Sequence, residues 1–210
     1  WQVKLSIPST FGAPEILAPL VETNGLVFPY TPTILIQHTA NYDALSPTHS
    51  NYPFPQYQNS QVEDLVITGD FFCENAKEAQ YWTAMVHYLR SATKMNYGVD
   101  SDVGAPPPIV KLTGYGDFVF PNVPVVIRNF TVDLPADVDY IKTQITGDVS
   151  INDGTVDVNI PGKAGWAPVH SQVSITVTPI YSRAKTSQFS LNSFVNGDYL
   201  GSSGNGGGFI

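Results

Sequence analysis

Charge is what this sequence has least of. Lys and Arg together number 10 and Asp and Glu 18 in 210 residues, so charged side chains make up 13% of the chain. A soluble surface commonly carries roughly 25–35%. The exterior must therefore be clothed in Ser, Thr, Asn, Gln and Tyr, or be covered by other subunits. So few cations exclude a phosphate-binding groove, which needs clustered Lys and Arg. With a formal net charge of −8, DNA that passes this protein is expected to slide by, not to be held. Cysteine is nearly absent. The single Cys73 excludes an intrachain disulfide framework, and its place at the end of an apolar run reads as a buried, inert thiol. No apolar run approaches the length of a membrane-crossing helix, and Trp1 to Ile7 does not have the pattern of a signal peptide.

Recognisable chemistry is scarce too. His38, His49, His87 and His170 show no metal-site spacing, and one cysteine cannot build a thiolate site; neither a metal nor a cofactor is expected. Glu63, Asp64, Asp70 and Glu74 are the nearest approach to an acidic cluster. They read as a solvated face, not as the two carboxylates a glycosidase sets across a groove. Gly114-Tyr115-Gly116 lacks the Lys and following helix of a phosphate loop, and no serine sits in a Gly-x-Ser-x-Gly elbow. The expectation is a protein that is not an enzyme.

What the chain does have is strand-forming sequence broken by turns. Hydrophobic residues make up 42%, with 17 Pro and 17 Gly between them, which argues for many turns and few long helices. Val3, Leu5 and Ile7 alternate with polar residues in the two-residue period of a half-buried strand, as do Val173, Ile175 and Val177. Further strands are expected at residues 34–36, 61–73 (with a break near Gly69), 109–113 and 118–120, then from 123 to 134, and in a short piece at 187–194. Pro124 marks an edge or a first strand position. Val149 and Ile151, Asn152-Asp153-Gly154, then Val156, Val158 and Ile160 predict a tight hairpin.

One helix stands out. Asn75 and Glu78 have capping-box spacing, and Ala79, Trp82, Val86 and Leu89 follow at three- and four-residue intervals. The pattern predicts a helix over 76–95, stopped by Gly98, whose apolar stripe lies across a sheet through Trp82, Val86 and Leu89. Residues 41–60 form a long Tyr-, Pro- and Asn-rich connection, of a length that usually has a function or lacks order. Its Tyr42, Tyr52, Phe54 and Tyr57 predict a segment pressed on its own sheet or on a neighbouring subunit. The fold expected is mainly β: two packed antiparallel sheets or a partly closed barrel, with one amphipathic helix. It is expected as a single domain over 1–200, followed by a flexible glycine-rich tail at 201–210.

Several phrases resemble one family. They are Phe28-Pro29-Tyr30-Thr31-Pro32-Thr33-Ile34, the 41–60 connection, Tyr88-Leu89-Arg90-Ser91-Ala92-Thr93-Lys94-Met95, Ala105-Pro106-Pro107-Pro108-Ile109 followed by Gly114-Tyr115-Gly116, and Asn122-Val123-Pro124-Val125-Val126-Ile127. Together they are similar to the baseplate tail tube proteins of contractile-tailed, T4-like bacteriophages, over roughly residues 25 to 145. The resemblance implies a virion protein of the tail baseplate, assembled in the host cytoplasm. It implies a homo-hexameric ring between the central hub and the first tail tube ring, with the sheets of six subunits joined around a lumen and the helix outside. Such a ring initiates tube polymerisation, and its lumen carries the tape measure protein and then DNA as passing cargo, without membrane embedding. Tyr42, Tyr52, Phe54 and Tyr57 then belong to a subunit or inter-ring contact, and an acidic lumen is expected; a neutral or basic one overturns that last point. A major tail tube subunit, a β-sandwich carbohydrate-binding module with an aromatic platform, and an enzyme with dispersed acids in a deep pocket are the alternatives.

Overall fold

Alternating apolar residues build the core of the sheet. In the computed structural model, which describes residues 1–12, 14–97, 103–116, 118–145, 150–152, 155–157, 163–199 and 208–210, thirteen strands and four α-helices follow one another. The first half runs β1 (Lys4–Leu5), α1 (Ala18–Glu22), β2 (Leu26–Val27), β3 (Thr33–Leu35), β4 (His38–Leu45), β5 (Phe54–Val62), β6 (Leu65–Phe72) and α2 (Ala76–Ala92). The second half runs β7 (Val110–Gly114), β8 (Phe120–Val132), β9 (Tyr140–Ile145), β10 (Ser150–Asn152), β11 (Thr155–Asp157), β12 (Lys163–Pro168), β13 (His170–Pro179), α3 (Arg183–Ser187) and α4 (Leu191–Asn196). The protein is mainly β, as its composition predicts.

Seven strands form one antiparallel sheet in the order β2-β1-β7-β8-β13-β6-β3. β2 and β3 remain as its two edges, so the sheet is not closed; of the two architectures expected, packed antiparallel sheets and not a partly closed barrel describe it. One face is apolar: Leu5, Leu112, Val123, Val125, Val173, Ile175, Val177, Leu65 and Ile67 are buried on it. Between β2 and β3 the chain crosses beneath this face. Phe28 lies there against Phe71, with ring centroids 5.7 Å apart. The crossing accounts for Gly69, which interrupts nothing in β6: a β-carbon there would stand 2.7 Å from the Phe28 ring.

β8 is central, between β7 and β13, so Pro124 sits neither at an edge nor at a strand start. It is tolerated because its missing N–H faces the place where β13 runs out. Pro179 pairs with Val125, and only the Ile180 N–H reaches back, to the Pro124 carbonyl at 2.9 Å.

Helix α2 starts where the capping box places it. Asn75 accepts the Glu78 N–H at 3.0 Å, and the Glu78 carboxylate accepts from the Asn75 side-chain amide at 2.8 Å and from the Glu74 N–H at 2.7 Å. The helix ends at Ala92, short of the expected Met95, with Thr93 donating to the Leu89 and Arg90 carbonyls; Gly98 lies outside the described residues. Trp82 and Leu89 are buried as expected, and Val86 packs only at the flank. Met85 and Tyr88, both fully buried, carry the stripe instead.

The buried surface of α2 is broader than a single stripe because a second layer packs on it. β9 and β12 pair antiparallel and pack directly against the helix. The side chains they bury among the described residues, Thr143, Ala167 and Pro168, are small, so the backbones approach closely. Beyond them Ser150, Ile151 and Asn152 pair with Asp157, Val156 and Thr155, the tight hairpin that the Asn-Asp-Gly turn predicts. Asp153, Gly154, Val149, Val158 and Ile160 lie outside the described residues.

Three polar tips tie α2 to the sheet. Trp82 Nε1–H donates to Ser171 Oγ at 2.7 Å and the Tyr88 hydroxyl to the Ser6 carbonyl at 2.8 Å. The Tyr81 hydroxyl accepts the Val27 N–H at 2.8 Å and donates to the Val27 carbonyl at 3.1 Å. Each buried aromatic body contributes about 1.5–3 kcal/mol by leaving water, and each tip fixes where it lands.

Trp82→Phe keeps one aromatic ring but removes the indole N–H and leaves the Ser171 hydroxyl, which is 0% exposed, without its donor. It is expected to cost about 1–3 kcal/mol in denaturant unfolding, with Trp82→Phe/Ser171→Ala costing less than the two single changes added; strict additivity would show that this bond contributes nothing. Thr143 Oγ1 is buried without a hydrogen-bond partner. Thr143→Val is therefore expected to stabilise by about 1 kcal/mol, seen as a higher unfolding midpoint at unchanged m-value.

Candidate functional site

The 41–60 connection is not a loop on a sheet but an arm. β3 pairs with β6 from Thr33↔Thr68 to Leu35↔Val66, the Glu63 N–H bonds the Gln37 carbonyl at 2.9 Å, and β4 pairs with β5 from His38↔Val62 to Leu45↔Phe54. One hairpin thus runs from the sheet edge outward, with a register shift between Asn41 and Tyr42 and a reversal over residues 46–53. Its sequence is strand-competent, and Pro53 and Pro55 fall at the start of the returning strand, where a missing N–H is cheapest.

Nothing among the described residues covers the outer arm. Tyr42, Tyr52, Phe54 and Tyr57 are 60%, 81%, 61% and 55% exposed, and Leu45 is 58%. Of the two settings expected for these aromatics, contact with their own sheet is therefore excluded. Tyr42 and Tyr57 meet edge to face, 5.6 Å between centroids at 67°, which is not a flat platform for a sugar ring. The Tyr57 hydroxyl donates to Ser60 at 2.9 Å, Asn41 to Asn59 at 2.8 Å, and the Gln58 amide to the Asp43 carboxylate. These ties stiffen the arm without burying it.

At the base of the arm the C-terminal part of the chain builds a second feature. Residues 187–194 form the end of α3 and most of α4, where a strand was expected, because Ser182 and Ser190 cap two short helices through the Lys185 and Ser193 N–H groups. Phe209 stacks on Tyr181 at 4.6 Å and 20° and meets Phe189 and Tyr199 at 5.3 and 5.4 Å. The Ile210 N–H bonds the Tyr181 hydroxyl at 3.2 Å, while Gly208, at φ +112°, fits where a β-carbon would touch Pro124. Residues 208–210 therefore join a satellite core that the glycine-rich sequence conceals; residues 201–207 lie outside the described residues. Between this cluster and the arm base runs an open groove of about 870 Å³, with no Asp, Glu, Lys or Arg in its lining.

The far face of the sheet, away from α2, carries Thr, Ser and Asn in cross-strand rows. Thr33 pairs with Thr68, Thr68 with Ser174, and Ser174 with Thr131, and the Thr68 and Ser174 hydroxyls lie 3.2 Å apart. Strand alternation sets Lys4, Lys111 and Arg128 on this face against Asp64, Asp70 and Asp133, so it is balanced in charge. Arg128 pairs with Asp64 at 2.6 Å, which also accepts from Thr178 at 2.5 Å. His170 Nε2 lies 3.5 Å from Asp70 and its ring stacks on Phe72.

The candidate chemical residues stay apart. Asp64 and Asp70 are six residues along one strand, about 20 Å at the usual rise, well beyond the ~5–9.5 Å of a glycosidase pair. Among the described residues no group of three or more His, Cys, Asp or Glu could hold a metal ion, and no helix is long and apolar enough to cross a membrane. No protein-family model and no curated protein matches the chain. Sequence reasoning missed the aromatic cluster of Tyr181, Phe189, Phe194, Tyr199 and Phe209; the signal was five aromatics in the last 30 residues, hidden by the polar and glycine-rich sequence between them.

Cys73 is buried, as its apolar run predicts. Burial pushes its thiol up to about 11, and the Glu78 carboxylate adds to the shift. The neutral thiol is therefore favoured in the folded state. Its contribution to stability is complete below the ordinary thiol value near 9 and lost as pH rises through 9 to 11. Unfolding free energy is expected to fall over that window, and to fall less in Cys73→Ala. Equal slopes in the two proteins would show that the thiol is not responsible.

Proposed function

We propose that this protein is a structural subunit that assembles with copies of itself into a six-fold ring of the phage baseplate tail-tube type. The observation that carries the reading is the arm: a stiffened, aromatic hairpin that leaves the sheet edge and is covered by no described part of its own chain. Large aromatic side chains left exposed together on one hairpin mark an interaction surface, and aromatics are enriched where subunits meet. The scarcity of charge points the same way, since interface cores are depleted in Lys, Glu and Asp.

In this reading the open sheet contributes strands to a shared wall, and its edges β2 and β3 are paired across subunits, which removes them as aggregation sites. The hydroxyl-rich face away from α2 then lines the channel for the tape measure protein and DNA. That wall is neutral, not acidic, so the expected acidic lumen is replaced. DNA still passes without being trapped, because each subunit sets its cations on this face against an equal number of carboxylates, Arg128 being paired with Asp64, and a wall without net positive charge has little counterion release to gain. Initiation of tube polymerisation at a hub–tube junction follows from the same resemblance and rests on it. α2 does not form the outermost layer alone in this reading, since β9 and β12 pack on it.

Size-exclusion chromatography with light scattering is expected to show a species six times the 22.8 kDa subunit mass, or stacked multiples of it, and negative-stain images to show a ring with an open centre. A monodisperse monomer in both dilute and concentrated solution overturns the reading.

A further inference from the structure

The arm tip and the groove lie at opposite ends of one hairpin and do not meet within one chain. The groove is bounded by the arm base at Thr39 and Ala40, and the arm tip, with Leu45, Tyr52 and Phe54, lies at the other end of the same paired strands. The separation is about 20 Å at the usual strand rise, and the ladder between them keeps the arm extended. Both surfaces carry apolar and aromatic side chains and lack charged ones of the Asp, Glu, Lys and Arg types. Residues 44–62 contain no Asp, Glu, Lys or Arg, and neither does the groove lining. An uncharged surface accepts an uncharged partner without the desolvation cost that a lone ion would impose.

We infer that the arm tip of one copy inserts into the groove between the arm base and the C-terminal aromatic cluster of a second copy. This rests on the self-assembly reading and adds to it the two surfaces that join. Tyr52 and Phe54, each offering much of an aromatic side chain's ~150–250 Å², lie against Phe189, Leu191 and Phe194. The contact is heterologous, tip on one side and groove on the other, so each copy has one of each to spend and repetition closes a ring or continues a stack. Tip and loop together stay below a standard interface of about 800 Å² per partner. The contact alone is therefore weak, and it holds through repetition around the assembly.

Two preparations test this, each in a Cys73→Ala background. One carries Phe54→Cys and the other Leu191→Cys, the latter on an exposed position of α4. Mixed and mildly oxidised, they are expected to give covalent dimers pairing one of each, with either preparation alone giving at least tenfold less. In parallel, Tyr52→Ser/Phe54→Ser and, separately, Leu191→Asp are expected to raise the concentration for half-assembly at least tenfold while thermal unfolding of the subunit stays unchanged, since all three positions are exposed. Assemblies that form normally in these variants, with no mixed cross-link, overturn the insertion while leaving self-assembly intact. A chain that stays monomeric throughout and gives no mixed cross-link overturns both. Mixed cross-links from a chain that is monomeric when dilute support the insertion on its own.

Discussion

The fold depends on one amphipathic helix being held between two β layers. α2 alone does not decide its own position: its apolar side chains would pack on any greasy surface. Position comes from the polar ends of three aromatics, which reach Ser171 on β13, Ser6 beside β1, and both backbone groups of Val27 on β2. Those anchors span much of the sheet from the β2 edge to its centre. They convert a non-directional burial energy into a single placement, because a slipped helix would leave buried polar groups unpaired at about 1–3 kcal/mol each. With the helix fixed, β9 and β12 have one surface to close on, and the small residues Thr143 and Ala167 let them do so.

Much of this was legible in the residues, and where it was not the reason is physical. Asn75 and Glu78 announced the helix start because a capping box satisfies local groups, and local groups follow local sequence. The helix end was misplaced by three residues because Thr93 stops it with a side-chain hydroxyl, a signal weaker than glycine. Period-two alternation found β1 and β13. It failed at Gly69, where a glycine that looked like a break is a seat for Phe28 from far along the chain. Pro124 misled for a similar reason: what tolerates it is the endpoint of β13, some 55 residues later. Tertiary neighbours decided each of these cases, and no local window contains them.

The candidate surface differs in shape from what its composition suggests. The prolines and asparagines around Tyr42, Tyr52, Phe54 and Tyr57 pointed to a loop. The β4–β5 ladder shows that such a sequence pairs well once the edge formed by β3 and β6 sets its register. The satellite core at Tyr181, Phe189, Tyr199 and Phe209 could not be seen in the same way. Its members are separated by turns and glycines, and only three-dimensional proximity makes them a cluster. The charge balance of the face away from α2 was not legible either, because net charge sums over the whole chain and says nothing about one side of one sheet.

The place of β13 in the strand order has a consequence for how the molecule is made. β13 lies between β8 and β6, although it is the last strand among the described residues. During synthesis β6 emerges early and β8 later, and neither has its central neighbour until residues 170–179 leave the ribosome. Until then the two halves of the sheet are separate, α2 lacks the Ser171 anchor, and the edge from which the arm springs is not held by the rest of the fold. Pairings of such high sequence separation fold slowly. A chain of this design completes its sheet only once residues 170–179 exist, so a chain cut short of them leaves β6 and β8 without their shared neighbour.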